Sequence, residues 1–259
     1  MNSRNKLNRK ELKDFLEEKY ELYNRLSFIT LDPISIPHQF SRKEDIEIAA
    51  FFSATIAWGQ RPTIIRNANR LMQLMDNEPY RFILTSEKKD WKRFEGYAHR
   101  TFQTVDVVYF IQSLKNIYQH HGGLEKVFAK QGKHEMKEGI QYLRKIFLEA
   151  NPEKRTAKHI ANVDKNASAK RINMFLRWMV RADNRGVDFG LWKSISPSLL
   201  YCPLDLHSGR VARKLGLLSR KQDDWKAVEE LTAILREFDP ADPVKYDFAL
   251  FGLGVNEKF

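Results

Sequence analysis

The chain holds one cysteine, Cys202, in 259 residues. A single cysteine excludes an intrachain disulfide, a multi-cysteine zinc site and a cysteine-ligated iron–sulfur cluster within one chain. It fits a reducing compartment, and a cytoplasmic location is expected. Long hydrophobic runs are also missing. The most apolar stretch, 48–58, is too short to span a bilayer core of about 30 Å, so no membrane partner is expected. Residues 1–13 are polar and basic and lack the apolar centre of a signal peptide. There is no Ser-His-Asp arrangement, nucleotide-binding glycine loop or metalloprotease motif. His120, His121 and His134 stand at no metal-ligand spacing with nearby acids, so neither metal nor cofactor is expected. Sustained alternation of period two is absent, which leaves room for no sheet beyond one short pair of strands.

Positive charge is abundant. Lys and Arg total 44 against 33 Asp and Glu, a formal charge of +11. Such an excess favours a polyanionic partner, nucleic acid ahead of an anionic surface, over a merely soluble basic protein. Apolar residues recur at helical spacing through most of the chain. Leu12, Phe15, Leu16, Tyr20 and Tyr23 mark a first amphipathic helix, and Pro33 and Pro37 a rigid connector. Further helices are predicted over 45–58 (broken at Gly59 and Pro62), 63–75, 105–120, 124–130, 137–150, 169–181, 225–238 and 245–253. The fold class is all-α. The length suits one compact unit of two helical lobes, 45–181 and 1–44 plus 182–259.

Two segments carry candidate chemistry. In the first, Lys165-Asn166-Ala167-Ser168-Ala169 leads into a helix bearing Lys170, Arg171, Arg177 and Arg181. A turn of small residues lets backbone N–H groups approach a phosphate, and the helix N-terminus adds its dipole. The plain alternative is a solvated charged face on a core helix. In the second, Asp205 stands at the mouth of a short basic helix with His207, Arg210, Arg213 and Lys214. Such a carboxylate is either an ordinary N-cap or a fixed negative charge toward which the basic residues draw a polyanion. His207 either fixes the turn by a hydrogen bond or binds phosphate.

In this order the two segments resemble the helix–hairpin–helix DNA glycosylase superfamily, whose best-known form is endonuclease III. That superfamily carries Gly-x-Gly-x-Lys-x-x-Asn, matched here at Lys170 and Asn173, with Asn166 and Ser168 in the glycine positions. It then carries Val-Asp-Thr-His-x-x-Arg-Val, matched at Asp205, His207, Arg210 and Val211. Residues 50–67 resemble its early Leu-Leu-Ser-Ala-Gln segment, with Gln60 and Asn67 as counterparts of its polar residues, and 248–254 resemble its late helix. The runs 57–61, 176–181, 203–205 and 242–248 resemble a bacterial family labelled as a domain of unknown function.

The glycosylase resemblance implies a two-lobed helical fold and duplex DNA with a damaged base as substrate. It implies catalysis by Asp205 and Lys170. DNA contacts fall to Lys165, Ser168, Arg171, Arg177, Arg210, Arg213 and Lys214, with support from His207, Gln60 and Asn67. Two departures stand out: Lys170 and Asp205 are 35 residues apart, through an added stretch at 183–202, and the cysteine cluster of endonuclease III is absent. Trp58, Trp178 and Trp192 are expected in the core rather than in a base pocket. The expected function is a base-excision glycosylase, with strand-nicking lyase activity if Lys170 is a nucleophile. A non-catalytic nucleic-acid-binding protein on the same scaffold and an enzyme on a non-DNA substrate are the alternatives.

Overall fold

A computed structural model describes residues 7–149, 154–257 and 259. Its helices are α1 (Arg9–Tyr23), α2 (Lys43–Thr55), α3 (Arg61–Leu74), α4 (Pro79–Thr85), α5 (Thr104–His120), α6 (Leu124–Gln131), α7 (Met136–Phe147), α8 (Lys154–Ala157), α9 (Lys170–Val180), α10 (Leu206–Lys214), α11 (Trp225–Phe238) and α12 (Tyr246–Asn256). Among the described residues the one sheet is a two-stranded antiparallel pair, β1 (Ala98–His99) and β2 (Phe102–Gln103). The protein is therefore all-α apart from that pair. No helix of the described residues is long and apolar enough to cross a membrane.

The chain forms two compact units. One comprises 29–162 and 191–195; the other comprises residues up to 28, 163–190 and 196–259. This division differs from the one drawn on the sequence. Residues 29–44 and 191–195 group with α2 and α3, and 163–181 with the chain ends, because their packing partners lie there.

The 29–162 unit is built on α2, whose residues from Ile46 to Thr55 are all buried. Phe51 and Phe52 meet Phe110 of α5 at ring distances of 6.0 Å, and Phe110 meets Phe147 of α7 at 4.7 Å. The carboxylate buried in this stretch, Glu47, accepts hydrogen bonds from Trp192 Nε1 (2.7 Å) and Tyr118 Oη (2.7 Å). Trp192 is thus core, as expected, and ties 191–195 to this unit. Gly59, at φ +103°, turns the chain after α2. Pro62 does not break the next helix: it lies in the first turn of α3, where a missing N–H costs nothing.

In the other unit α12 is apolar on nearly every side, which marks an interior helix. It packs between α1 and α10. Gly252 and Gly254 allow these approaches: a Cβ at Gly252 would meet the Tyr23 ring of α1 at 2.1 Å, and one at Gly254 would meet His207 Cβ of α10 at 2.9 Å. The last residue of the predicted 137–150 helix lies outside the described residues.

Candidate active site

Lys170 opens α9 and Asp205 caps α10, both within the unit that joins the chain ends. The fold brings these two residues together. Lys170 Nζ lies 3.9 Å from Asp205 Oδ2, and the side chains are 24 % and 22 % exposed. Asp205 Oδ1 accepts the backbone N–H groups of His207 and Ser208, each at 2.9 Å. One oxygen is thus held by the start of α10 while the other is turned toward the lysine. Leu206, the next residue, is 74 % exposed.

The turn before α9 is built without glycine. Asn166 sits at φ +62° and Ala169 at φ +50°. Asparagine tolerates the left-handed region better than most residues. The start of α11 also holds this one: Asn166 donates to Asp224 Oδ2 (2.8 Å), its carbonyl accepts Trp225 N–H (3.1 Å), and its side-chain oxygen accepts Lys226 N–H (3.3 Å). Ser168, in the other glycine position, takes no left-handed conformation; its carbonyl accepts from Asn173 (3.3 Å). Ala169 has no comparable anchor for its strained backbone. Ala169→Gly is therefore expected to raise unfolding free energy by about 1 kcal/mol in urea titrations.

The basic residues divide into two groups. Lys165, Arg210 and Lys214 are exposed. Arg210 donates to the Gly254 carbonyl (2.9 Å), and Lys214 lies 5.4 Å from the Phe259 ring centre. The phosphate contact expected of Arg177 is corrected by its burial. It is 3 % exposed, it donates to Asp188 (3.3 Å) and Asp247, and it stacks 4.2 Å from the Phe248 ring centre. Arg213 is held by Asp223 (2.5 Å) and the Arg220 carbonyl (2.8 Å). Arg171 is half-buried, and lost hydration pulls its guanidinium below the ordinary arginine range.

Gln60 and Asn67 belong to the other unit. Gln60 is exposed, and Asn67 pairs with His99 Nδ1 at 2.9 Å. The His207 ring does not orient Asp205; its backbone does, and among the described residues its buried Nδ1 has no hydrogen-bond partner. Ser208 Oγ and Asn173 Oδ1 are buried and unpartnered in the same way. Trp178 is buried, while Trp58 is half-buried and stacked on His159 at 6.0 Å.

Sequence reasoning missed Asp247. This buried residue on α12 bonds Arg177. Burial pushes its carboxyl up to about 6, with Arg177 pulling down and Asp205 pushing up. The signal was present: Lys170, Asn173 and Arg177 on α9 and Arg181 at its C-cap recur at helical spacing and form one polar stripe. Among the described residues no group of three or more His, Cys, Asp or Glu is placed to hold a metal ion.

These features define an all-helical protein with an accessible lysine–carboxylate pair at two helix N-termini, backed by buried charge. The chain belongs to the family described as Protein of unknown function (DUF2400), whose model matches residues 32–256. No curated protein and no solved structure matches the chain.

Proposed function

We propose that the chain is a DNA base-excision enzyme of the helix–hairpin–helix glycosylase type, with Asp205 and Lys170 as its catalytic residues. The observation that carries the reading is the meeting of Lys170 Nζ and Asp205 Oδ2 at 3.9 Å. The two motifs lie 35 residues apart in the sequence, and both side chains stay accessible at helix starts. The exposed Leu206 beside them and the basic side chains of Lys165, Arg210 and Lys214 suit a nucleic-acid surface.

The geometry is compatible with the following chemistry. When the bond between the sugar C1′ and a damaged base breaks, the base leaves with the electron pair and takes up a proton. Positive charge then develops on the sugar. A carboxylate fixed by two backbone N–H groups stabilises that charge without having to reorganise. If Lys170 gives up its proton and adds to C1′, the C1′–O4′ bond then opens with O4′ taking a proton. That leaves a Schiff base from which elimination of the 3′ phosphate nicks the strand. If Lys170 remains a counter-ion, Asp205 stabilises the cation until a water adds to C1′ and gives up a proton to the departing base, leaving an abasic site. The target base has to leave the helical stack to reach either group.

The test is borohydride trapping on duplexes carrying abasic, oxidised, deaminated and alkylated bases, with alkali cleavage run in parallel to detect base release. Lys170→Ala should abolish a trapped adduct. Asp205→Asn should abolish base release while sparing the fold, because asparagine caps a helix as well as aspartate does. Silence of the wild type in both assays across the panel would sink the reading and favour a non-catalytic binding protein.

A further inference from the structure

One groove in the 29–162 unit plays no part in the chemistry proposed above. It has a volume of about 1190 Å³ and runs along α3, lined by Leu31, Arg61, Pro62, Ile65, Arg66, Asn69, Arg70, Gln73 and Leu74. Its lining combines two properties. Leu31, 68 % exposed, joins Pro62, Ile65 and Leu74 in an apolar floor. Three arginines and two side-chain amides line the rest, and no acidic residue does. Arg66 and Arg70 are exposed, and among the described residues no carboxylate pairs with either. The groove starts at the N-terminus of α3, where Gln60 makes no side-chain cap bond, so the positive end of the helix dipole adds to the arginines.

Length and charge identify the occupant. At about 1.5 Å rise per residue, Arg61 to Arg70 covers about 13 Å of helix. Phosphates of one strand lie about 3.4 Å apart along the axis of a duplex and farther apart when the strand is extended, so this span matches a few consecutive phosphates. An unpaired strand also presents apolar base faces, which the floor of Leu31, Pro62, Ile65 and Leu74 can cover; in a duplex these faces are stacked away. An acidic peptide would meet the arginines equally well but brings no comparable regular row of charge with flat apolar faces.

We propose that the α3 groove is a binding tract for single-stranded nucleic acid, with Arg61, Arg66 and Arg70 on the phosphates and the bases over the apolar floor. The tract does not depend on the chemistry of Lys170 and Asp205.

Fluorescence anisotropy with a labelled mixed-sequence single strand of about twelve nucleotides tests it, using the full chain. The double variant Arg66→Glu/Arg70→Glu, whose side chains are exposed, should keep the wild-type melting temperature. It should bind the strand at least tenfold more weakly, and the slope of log affinity against log salt should shrink by about 1.4, the share of two phosphate contacts. Asp205→Asn should leave single-strand affinity unchanged, so a failure of the glycosylase reading leaves this result intact. Photocrosslinking of a bromouracil-bearing strand should put the adduct within 60–74 or on Leu31. Unchanged affinity and slope in the double variant, or adducts confined to other segments, would overturn the proposal. So would displacement of an acidic peptide, but not of the strand, by the double substitution.

Discussion

Replacing Arg181 by methionine is expected to cost about 4 kcal/mol of stability, enough to unfold a marginal domain. The guanidinium is buried and fully engaged. It donates to Asp183 (2.7 Å), Asp188 (3.1 Å) and Asp242 (2.8 Å), and to the Tyr20 hydroxyl (2.7 Å). Burial alone would lower its pKa, and the carboxylates of Asp188 and Asp242 raise it well above the ordinary arginine value. Methionine fills a similar volume, so the loss is electrostatic rather than a cavity. It strands a buried Asp188 on Arg177 alone and leaves Asp242, whose Oδ1 already lacks a partner, without any cation from α9. Urea unfolding at neutral pH measures the cost. The deficit should narrow toward about pH 4 as stranded carboxylates take up protons. A loss below about 1 kcal/mol would mean that this network does not hold the unit together.

Asp247→Asn should change the pH dependence of stability rather than its level at one pH. The Asp247 carboxyl stands at about 6 in the folded protein, first through burial, against about 3.9 when unfolded. A folded state with the higher pKa binds the proton more tightly. The stabilisation from this group is therefore complete below about pH 4 and lost as pH rises to about 6. Two pKa units correspond to about 3 kcal/mol. Between about pH 4 and 7 the wild type should lose about that much relative to Asp247→Asn, other carboxylates cancelling in the difference. A constant difference across this range would mean that Asp247 titrates alike in both states. Lys170 and Asp205 feel the same charge, so on the proposed mechanism Schiff-base trapping should change through the same interval.

Helix positions were largely legible because buried stripes impose a period on the sequence. The expected 225–238 helix matches α11, and those at 105–120 and 124–130 match α5 and α6 within one residue. The seven-residue α4 carries too few turns to show a period and was missed. Charge was read less well, for a physical reason. Composition registers Arg177 and Arg181 as positive surface, but their partners Asp247 and Asp242 lie 70 and 61 residues away. Only the fold reveals that the charges cancel inside. Glu47 shows the same limit: nothing in its sequence neighbourhood hints that Trp192 and Tyr118 will satisfy it. The spacing of Lys170 and Asp205 showed two separate motifs; that they share a site was implied only by the glycosylase resemblance, and the fold brings them to 3.9 Å.

The path of the chain through its two units bears on how the protein is made. Synthesis delivers α1 long before its partner α12, which lies at 246–256. On the ribosome that first helix must wait, with its apolar face unburied, through more than two hundred residues of elongation. The 29–162 unit is also unfinished when residue 162 emerges, since Glu47 meets Trp192 only thirty residues later. A nascent chain arrested before 192 would hold a buried carboxylate short of a donor, and one arrested before 246 an unplaced first helix. Neither unit is completed by simple sequential emergence: α1 needs α12, and the 29–162 unit needs residues 191–195.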